Sequence, residues 1–374
     1  MENRLLYISN IAGKRMAWTF NGTAIAAAQS IGKEFICVAN RSRATELDIK
    51  LDEEKWDVKL LHIDLSRSPY DFIQNYKAYK QLVKIIKDYE IDCIHCNTPV
   101  GGMLGRLAGK KCNVKKVIYQ AHGFHFYKGA PKKNWLIYYP VEKWLAHHTD
   151  VLITINTEDY ELAKAKMKLR KNGKVYYVPG VGVDLKKFGQ ATVDKISKRQ
   201  ELGIPDRATL LMSVGELNEN KNHETVIRAM KDLDVYYIIA GDGGLKAHLQ
   251  NVIDELGMTN RVKLLGFRND ISQLCKAADI FVMPSYREGL SVALMEAMAS
   301  GLPCAVSKIR GNVDLIEDNR GGFTFDPHSV DSCKTAIEKL LALDLAALGS
   351  YNQEKIKGFS CERVQETMKE IYGI

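Results

Sequence analysis

A chain of 374 residues is too long for one ordinary hydrophobic core and suits two domains. Apolar residues at 46% and charged residues at 26% are globular values, and no apolar run approaches the roughly 18 residues of a bilayer-spanning helix, which excludes a disordered tail protein and a helical membrane channel. The net charge of +8 is uneven: residues 1–180 hold 29 Lys and Arg against 18 Asp and Glu, a net of +11, leaving 24 against 27, a net of −3, for the remainder.

No nucleic-acid partner is expected, since there is no recognition motif and no basic stripe interleaved with aromatics. An anionic membrane face or a diphosphate-bearing acceptor suits the basic half better. The opening MENRLLYISN enters a strand pattern without the basic, apolar and small-residue succession of a signal peptide, so a cytosolic or peripheral protein is expected. Eight cysteines are scattered through apolar contexts, as reduced buried thiols would be. Only Cys93 and Cys96, with His95 between them, resemble a metal pair, and alternation along a buried strand explains them equally well.

Taken in chain order, the strands expected in the first half are 5–9, 35–39, 59–63, 93–96, 117–121 and 151–155. Helices are expected between them near 20–31, 71–89, 99–110, 134–147 and 157–168. A second series of strands follows at 209–214, 235–241, 262–266, 280–284 and 303–306, each again leading into a helix-like segment. Such alternation means parallel sheets covered on both faces, and two series mean two doubly wound α/β domains. The break falls near VPGVGVDLKKF, where Pro179, Gly180 and Gly182 interrupt both periodicities. The expected division is 1–178, 179–355, and a terminal helical segment 356–374 packing back toward the first domain.

In doubly wound sheets the ligand-binding loops follow the strands. The first such loop, NIAGKRMAW, offers Gly13, Lys14 and Arg15 as a plausible phosphate contact. GRLAGKK at 105–111 has the wrong spacing for a phosphate loop, lacks a following Ser or Thr, and its glycines end a helix instead of opening one. HGFHFYKGAPKKNW puts His122 at a strand end and adds Lys128, Lys132 and Lys133, unusually rich for a connector. GELNENK brings Gly215 and places Lys221 at a helix entrance, where a lysine reaches a diphosphate as a mobile point charge. Asp232 and Asp234 form a carboxylate pair of a kind that can hold a metal ion, but they precede a strand, the wrong side for a ligand-binding loop, and are expected to solvate a turn. GDGG permits close backbone approach at Gly243, although the spacing is not that of a dinucleotide fingerprint, and FRND offers Phe267 and Arg268 to border a base.

The most informative stretch is REGLSVALMEAMASG. Ser291 is the natural N-cap of a helix surrounded by Val, Ala, Leu and Met, and such a helix is buried. Glu288 lies in the loop before it and Glu296 inside it. A carboxylate so placed needs donors, because an unpaired buried charge costs several kcal/mol or takes up a proton. A structural ion pair would satisfy Glu296. Two glutamates flanking a helix N-terminus, itself an anion site, also fit a nucleotide sugar, which has phosphate in the middle and hydroxyls at both ends.

Over nearly the whole chain the sequence resembles the retaining GT-B glycosyltransferases of glycosyltransferase family 4, which include capsule, exopolysaccharide and protein-glycan assembly enzymes. EGLSVALMEAMASGLP carries the resemblance most specifically, with GELNENK, GDGG, LGFRND and PGVGVD in the expected order. AHGFHFYKGA with NWLIYYPVEKWLAHHTDVLITIN is similar to the branch acting on polyprenyl-diphosphate-linked sugars. The resemblance implies two Rossmann-like domains facing across a cleft, with Glu288 on the donor sugar and Glu296 on the ribose diol. It also implies that the N–H groups of Gly289, Leu290 and Ser291 and the Lys221 amine hold the diphosphate, that His122 approaches the sugar, and that neither metal nor cofactor is required. Glu216 stands where most of the family has an arginine, so Lys221 acts alone or Lys14, Arg15 or Arg268 compensates. The implied reaction takes a UDP-sugar to an undecaprenyl-diphosphate-linked saccharide at the inner face of the plasma membrane. A UDP-sugar epimerase of the same fold and a non-catalytic subunit of a transferase pair are the alternatives.

Overall fold

The computed structural model describes residues 3–11 and 22–373, so Gly13, Lys14 and Arg15 lie outside the described residues. The chain divides into two compact units, Met1–Val181 together with Glu362–Ile374, and Gly182–Cys361.

The first unit contains β1 (Arg4–Ile11), β2 (Glu34–Asn40), β3 (Lys59–His62), β4 (Cys93–Asn97), β5 (Lys116–Ala121), β6 (Val151–Thr154) and β7 (Lys174–Tyr177). They form one parallel sheet in the order β3-β2-β1-β4-β5-β6-β7. Successive residues of a strand point to opposite faces, and both faces here are cores. Leu6 and Ile8 join Ile36, Val38 and Ile94 on one side, while Leu5 and Tyr7 join Phe35, Cys37 and Ile118 on the other. Burial on both faces is why these strands read as unbroken apolar runs. The same alternation sends Cys96 into the first core and Cys93 into the second, so the two thiols do not form a metal pair. Between them His95 is fully buried, with Nδ1 2.7 Å from Tyr372 Oη and Nε2 3.1 Å from Gln120 Oε1, and burial drives its pKa down to about 3. Tyr372 belongs to the last helix, Cys361–Gly373, whose Val364, Met368, Ile371 and Tyr372 complete the second core.

The second unit contains β8 (Thr209–Val214), β9 (Val235–Ala240), β10 (Val262–Gly266), β11 (Ile280–Met283), β12 (Cys304–Ser307) and β13 (Gly322–Phe325). Their parallel sheet runs β10-β9-β8-β11-β12-β13. In both units the strand order reverses once, between β1 and β4 and between β8 and β11. At such a reversal the following loops leave in opposite directions and open a crevice beyond the carboxyl ends of the strands.

Strands β7 and β13 and the helix Glu46–Trp56 add to the elements expected from sequence. GRLAGKK is the later part of the helix Pro99–Lys111, with Gly105 in mid-helix and Gly102, Gly105 and Gly109 buried. Only part of the expectation for its glycines therefore holds: they open no helix, but Gly105 does not end one either. Among the described residues no helix is long and apolar enough to cross a membrane.

Candidate functional site

The reversal in the second unit brings together the loops after β8 and β11. Asparagines lace them: Asn220 Nδ2 donates to Arg287 O at 3.0 Å, Tyr286 N to Asn220 O at 2.8 Å, and Asn222 Nδ2 to Pro284 O at 3.0 Å and Pro327 O at 2.9 Å. Asn222 takes a left-handed backbone, φ 51°, which asparagine tolerates better than most residues, and Thr225 Oγ1 donates to its Oδ1 at 2.9 Å. Sequence reasoning passed over both asparagines because their partners lie more than 60 residues away; asparagine in a loop reads only as a turn former.

Across this joint Lys221 Nζ donates to Glu288 Oε1 at 2.7 Å, with side chains 21% and 15% exposed. Gly215 lies against the Lys221 stem, where a Cβ would come within 3.1 Å of its Cδ and Cε. Three residues after Glu288, Ser291 caps the helix Val292–Ala299, its hydroxyl accepting from Leu294 N at 3.4 Å. Gly289 is held close by Gly311, φ 78°, whose position would put any Cβ 2.2 Å from Gly289 O. Leu290 is buried beside the cap. A cation, a carboxylate and the head of a helix thus converge at the switch point. The helix head presents first-turn N–H groups that no intrahelical carbonyl takes.

Glu296 is a different kind of carboxylate. It sits on the same helix among Leu294, Met295, Ala297 and Met298, and burial raises its pKa from 4.5 to about 7 against a smaller opposing pull from Lys187. Among the described residues its side chain forms no ion pair, which leaves the structural reading of this carboxylate without a partner. Its helix packs against Leu185–Gly189, which carries Lys187.

Other residues singled out from sequence fall into place around this centre. Glu216 is exposed and accepts from Asn218 Nδ2 at 3.0 Å, turned to a neutral partner. Gly243 allows the loop after β9 to lie on the loop after β8, since a Cβ there would be 2.5 Å from Leu217 O; Leu217 N and Leu245 N tie the same loops together. Arg268 is taken up by Asp270, at 2.6 and 2.8 Å, and Glu201, at 2.9 Å, so its charge is already matched. Phe267 beside it is 59% exposed. His223, which sequence reasoning did not single out, is buried directly after Asn222; burial first, and Lys221 second, lower its pKa to about 4, so it is neutral at pH 7.

In the first unit His122 is exposed at the end of β5, its Nε2 3.0 Å from Asn97 Oδ1. Asn97 Nδ2 donates to Ile8 O at 3.3 Å, which turns the amide oxygen toward the imidazole. Nε2 is therefore the protonated nitrogen, and Nδ1 is left as an acceptor. A small cavity of about 50 Å³ adjoins His122 and is lined also by Tyr7, Gln120 and Met368. The rest of the aromatic loop packs: Phe124 and Phe126 are buried and stacked at 4.8 Å, and Trp135 Nε1 donates to Tyr127 O. Lys128, Lys132 and Lys133 are exposed.

Two family models match the chain, "Glycosyl transferase 4-like" over residues 20–156 and "Glycosyl transferases group 1" over residues 194–355. The sequence is 38% identical to the putative glycosyltransferase EpsD of Bacillus subtilis, over 83% of this chain and 84% of that one. It is 31% identical to the Escherichia coli UDP-Gal:alpha-D-GlcNAc-diphosphoundecaprenol alpha-1,3-galactosyltransferase, over 80% of each. Among solved structures, Anabaena Alr3699/HepE in complex with UDP superposes with a TM-score of 0.80 at 20% identity, covering 99% of both chains. With two parallel Rossmann-like sheets and these relatives, the chain belongs to the GT-B glycosyltransferases that join a glycosyltransferase 4-like domain to a group 1 domain.

Proposed function

We propose that the protein is a retaining, metal-independent glycosyltransferase that moves a hexosyl or N-acetylhexosaminyl group from a UDP-sugar to a hydroxyl of an undecaprenyl-diphosphate-linked saccharide. It would serve capsule, exopolysaccharide or related glycan assembly, peripherally bound at the inner face of the plasma membrane. The observation that carries the reading is the Lys221–Glu288 pair set at the head of a buried helix, at the strand-order reversal. The E. coli relative, named for a diphosphoundecaprenol acceptor, supports the choice of acceptor class.

In this reading the bond from the sugar anomeric carbon to the leaving diphosphate breaks first. The charge that develops on the leaving group meets the N–H groups of Gly289 to Ser291 and the Lys221 amine, a kind of stabilisation worth about 3 to 4 kcal/mol per well-placed donor. The acceptor oxygen bonds the same face of the anomeric carbon, and its proton passes to the departing phosphate oxygen. Glu288 accepts from sugar hydroxyls, Glu296 from the ribose diol, and His122 offers its bare Nδ1 to a sugar hydroxyl. Lys128, Lys132 and Lys133 lie on the acceptor and membrane side.

The test is incubation of the purified protein with UDP-sugars and undecaprenyl-diphosphate-N-acetylglucosamine in mixed micelles. Acceptor-dependent UDP release and a product with the donor's anomeric configuration are expected. Interconversion of UDP-sugars without acceptor, or an inverted product, would overturn it.

A further inference from the structure

The helix Lys132–Ala146 has an unusual outer side. Leu136, Ile137, Pro140, Val141 and Trp144 recur at helical spacing, and all are exposed, Leu136 to 77%. An ordinary surface helix buries such a stripe and shows its polar face to water. Across from it, Tyr70, Phe72, Ile73 and Tyr76, at and before the start of the helix Phe72–Asp88, are exposed to between 59% and 78%. The two ridges flank a groove of about 880 Å³ whose floor is Met103, Leu104 and Leu107 of Pro99–Lys111. So many large apolar side chains left in water together mark a contact surface.

Charge identifies the occupant. These three helices carry Lys77, Lys80, Lys84, Lys87, Lys110, Lys111, Lys132, Lys133 and Lys143, all exposed. Their only carboxylates are Asp88 and Glu142, and Glu142 is committed to the buried Arg106. A second copy would set this positive face against itself. Lysines with long stems, tyrosines and a tryptophan around protruding aliphatic groups suit the boundary between headgroups and hydrocarbon. We infer that this three-helix face of the first unit docks on an anionic phospholipid bilayer, with the aliphatic ridges entering the hydrocarbon and the groove taking up a lipid chain. This deepens the peripheral location proposed above by naming the surface.

Flotation tests it with no donor or acceptor present, so failure of the transferase reading leaves the result intact. The whole protein should float with vesicles of equal parts phosphatidylcholine and phosphatidylglycerol, and not with phosphatidylcholine alone. Ile73→Glu with Leu136→Glu should lower the partition about a hundredfold, about tenfold for each ridge, while the thermal melt, reporting the fold, stays unchanged. Gln at Lys110, Lys111, Lys132 and Lys133 should remove most of the salt-sensitive part. Trp144 fluorescence should be quenched by brominated phosphatidylglycerol, a signal lost in Trp144→Phe. Binding indifferent to both glutamates, no binding to either vesicle, or a concentration-dependent dimer that the same glutamates dissolve would each overturn the assignment; the last would make the face a self-association surface.

Discussion

Replacing Glu296 with Gln separates stability from binding. The ordinary value of this carboxyl is 4.5, and burial pushes it up to about 7 in the folded chain. Between those values the folded state holds a proton that the unfolded state has lost. Stability therefore falls as pH rises through this window, and the penalty is complete above the folded pKa. At about 1.4 kcal/mol per unit it amounts to roughly 3 kcal/mol at pH 8 and almost nothing at pH 4.5. Glutamine does not titrate, so its own burial cost is the same at both pH values and cancels in the difference. Urea titrations at pH 4.5 and 8 should show the variant gaining about 3 kcal/mol on wild type between the two. UDP affinity should fall in the same variant, since the proposed diol partner is gone. In calorimetry at pH 6, wild type should release close to one more proton on binding UDP than the variant does, because ribose hydroxyls donate to the ionised form. A variant equally stable relative to wild type at both pH values would refute the raised pKa.

Glu288→Gln should lower turnover by about 100-fold or more while UDP affinity is kept or tightens, since Lys221 loses the carboxylate that now pairs with it at 2.7 Å; nucleotide titration and steady-state rates check both. Activity should survive excess EDTA, and full loss restored by manganese or magnesium would show that the helix head and Lys221 are insufficient. Arg106 is fully buried, bonded to Gly102 O at 2.8 Å, paired with Glu142, and 3.8 Å above the Tyr119 ring. Glu142→Leu should cost about 3 to 5 kcal/mol in urea unfolding by stranding that charge, and Arg106→Met added to it should restore most of the loss. Asn97→Asp should change the pH profile of turnover through His122 and leave UDP affinity untouched, whereas equal changes in both would mean that Asn97 acts only on the fold.

The strands paired on both sides were all legible in the sequence. FICVA, CIHC and IFVMP are continuous apolar runs because each pairs on both sides within a covered sheet. Of the four edge strands, β3 and β10 carry a Leu-Leu run and were legible, while β7 and β13 escaped. β7 pairs only with β6, none of its four residues is fully buried, and it starts on an exposed lysine. β13 pairs only with β12 and starts on glycine. The helix Glu46–Trp56 escaped for another reason, since it buries only Ile49 and Asp52 and so has almost no apolar stripe. Its signal was local: Thr45 and Asp48 form a capping box, each side chain bonded to the other's backbone N–H.

The site was legible in composition and illegible in pairing. Glu288 and Glu296 look alike in sequence, eight positions apart, and are chemically opposite in the structure. Glu288 has an ammonium 2.7 Å away, supplied by a lysine 67 residues earlier, and that contact exists only because the sheet order sets β8 beside β11. No periodicity encodes strand order, so the ion pair could not be foreseen. Glu296 has apolar neighbours, and burial sets its acidity. In the proposed reading the two therefore ask different things of a UDP-sugar. To Glu296 it must bring hydroxyl donors that make ionisation favourable. At Glu288 it must compete with Lys221, and a diphosphate can do so because it draws the ammonium toward itself and frees the carboxylate to accept from the sugar. In the proposed reading, binding of the phosphates would thereby prepare the sugar site, a coupling between the ends of one ligand that runs through a single 2.7 Å contact.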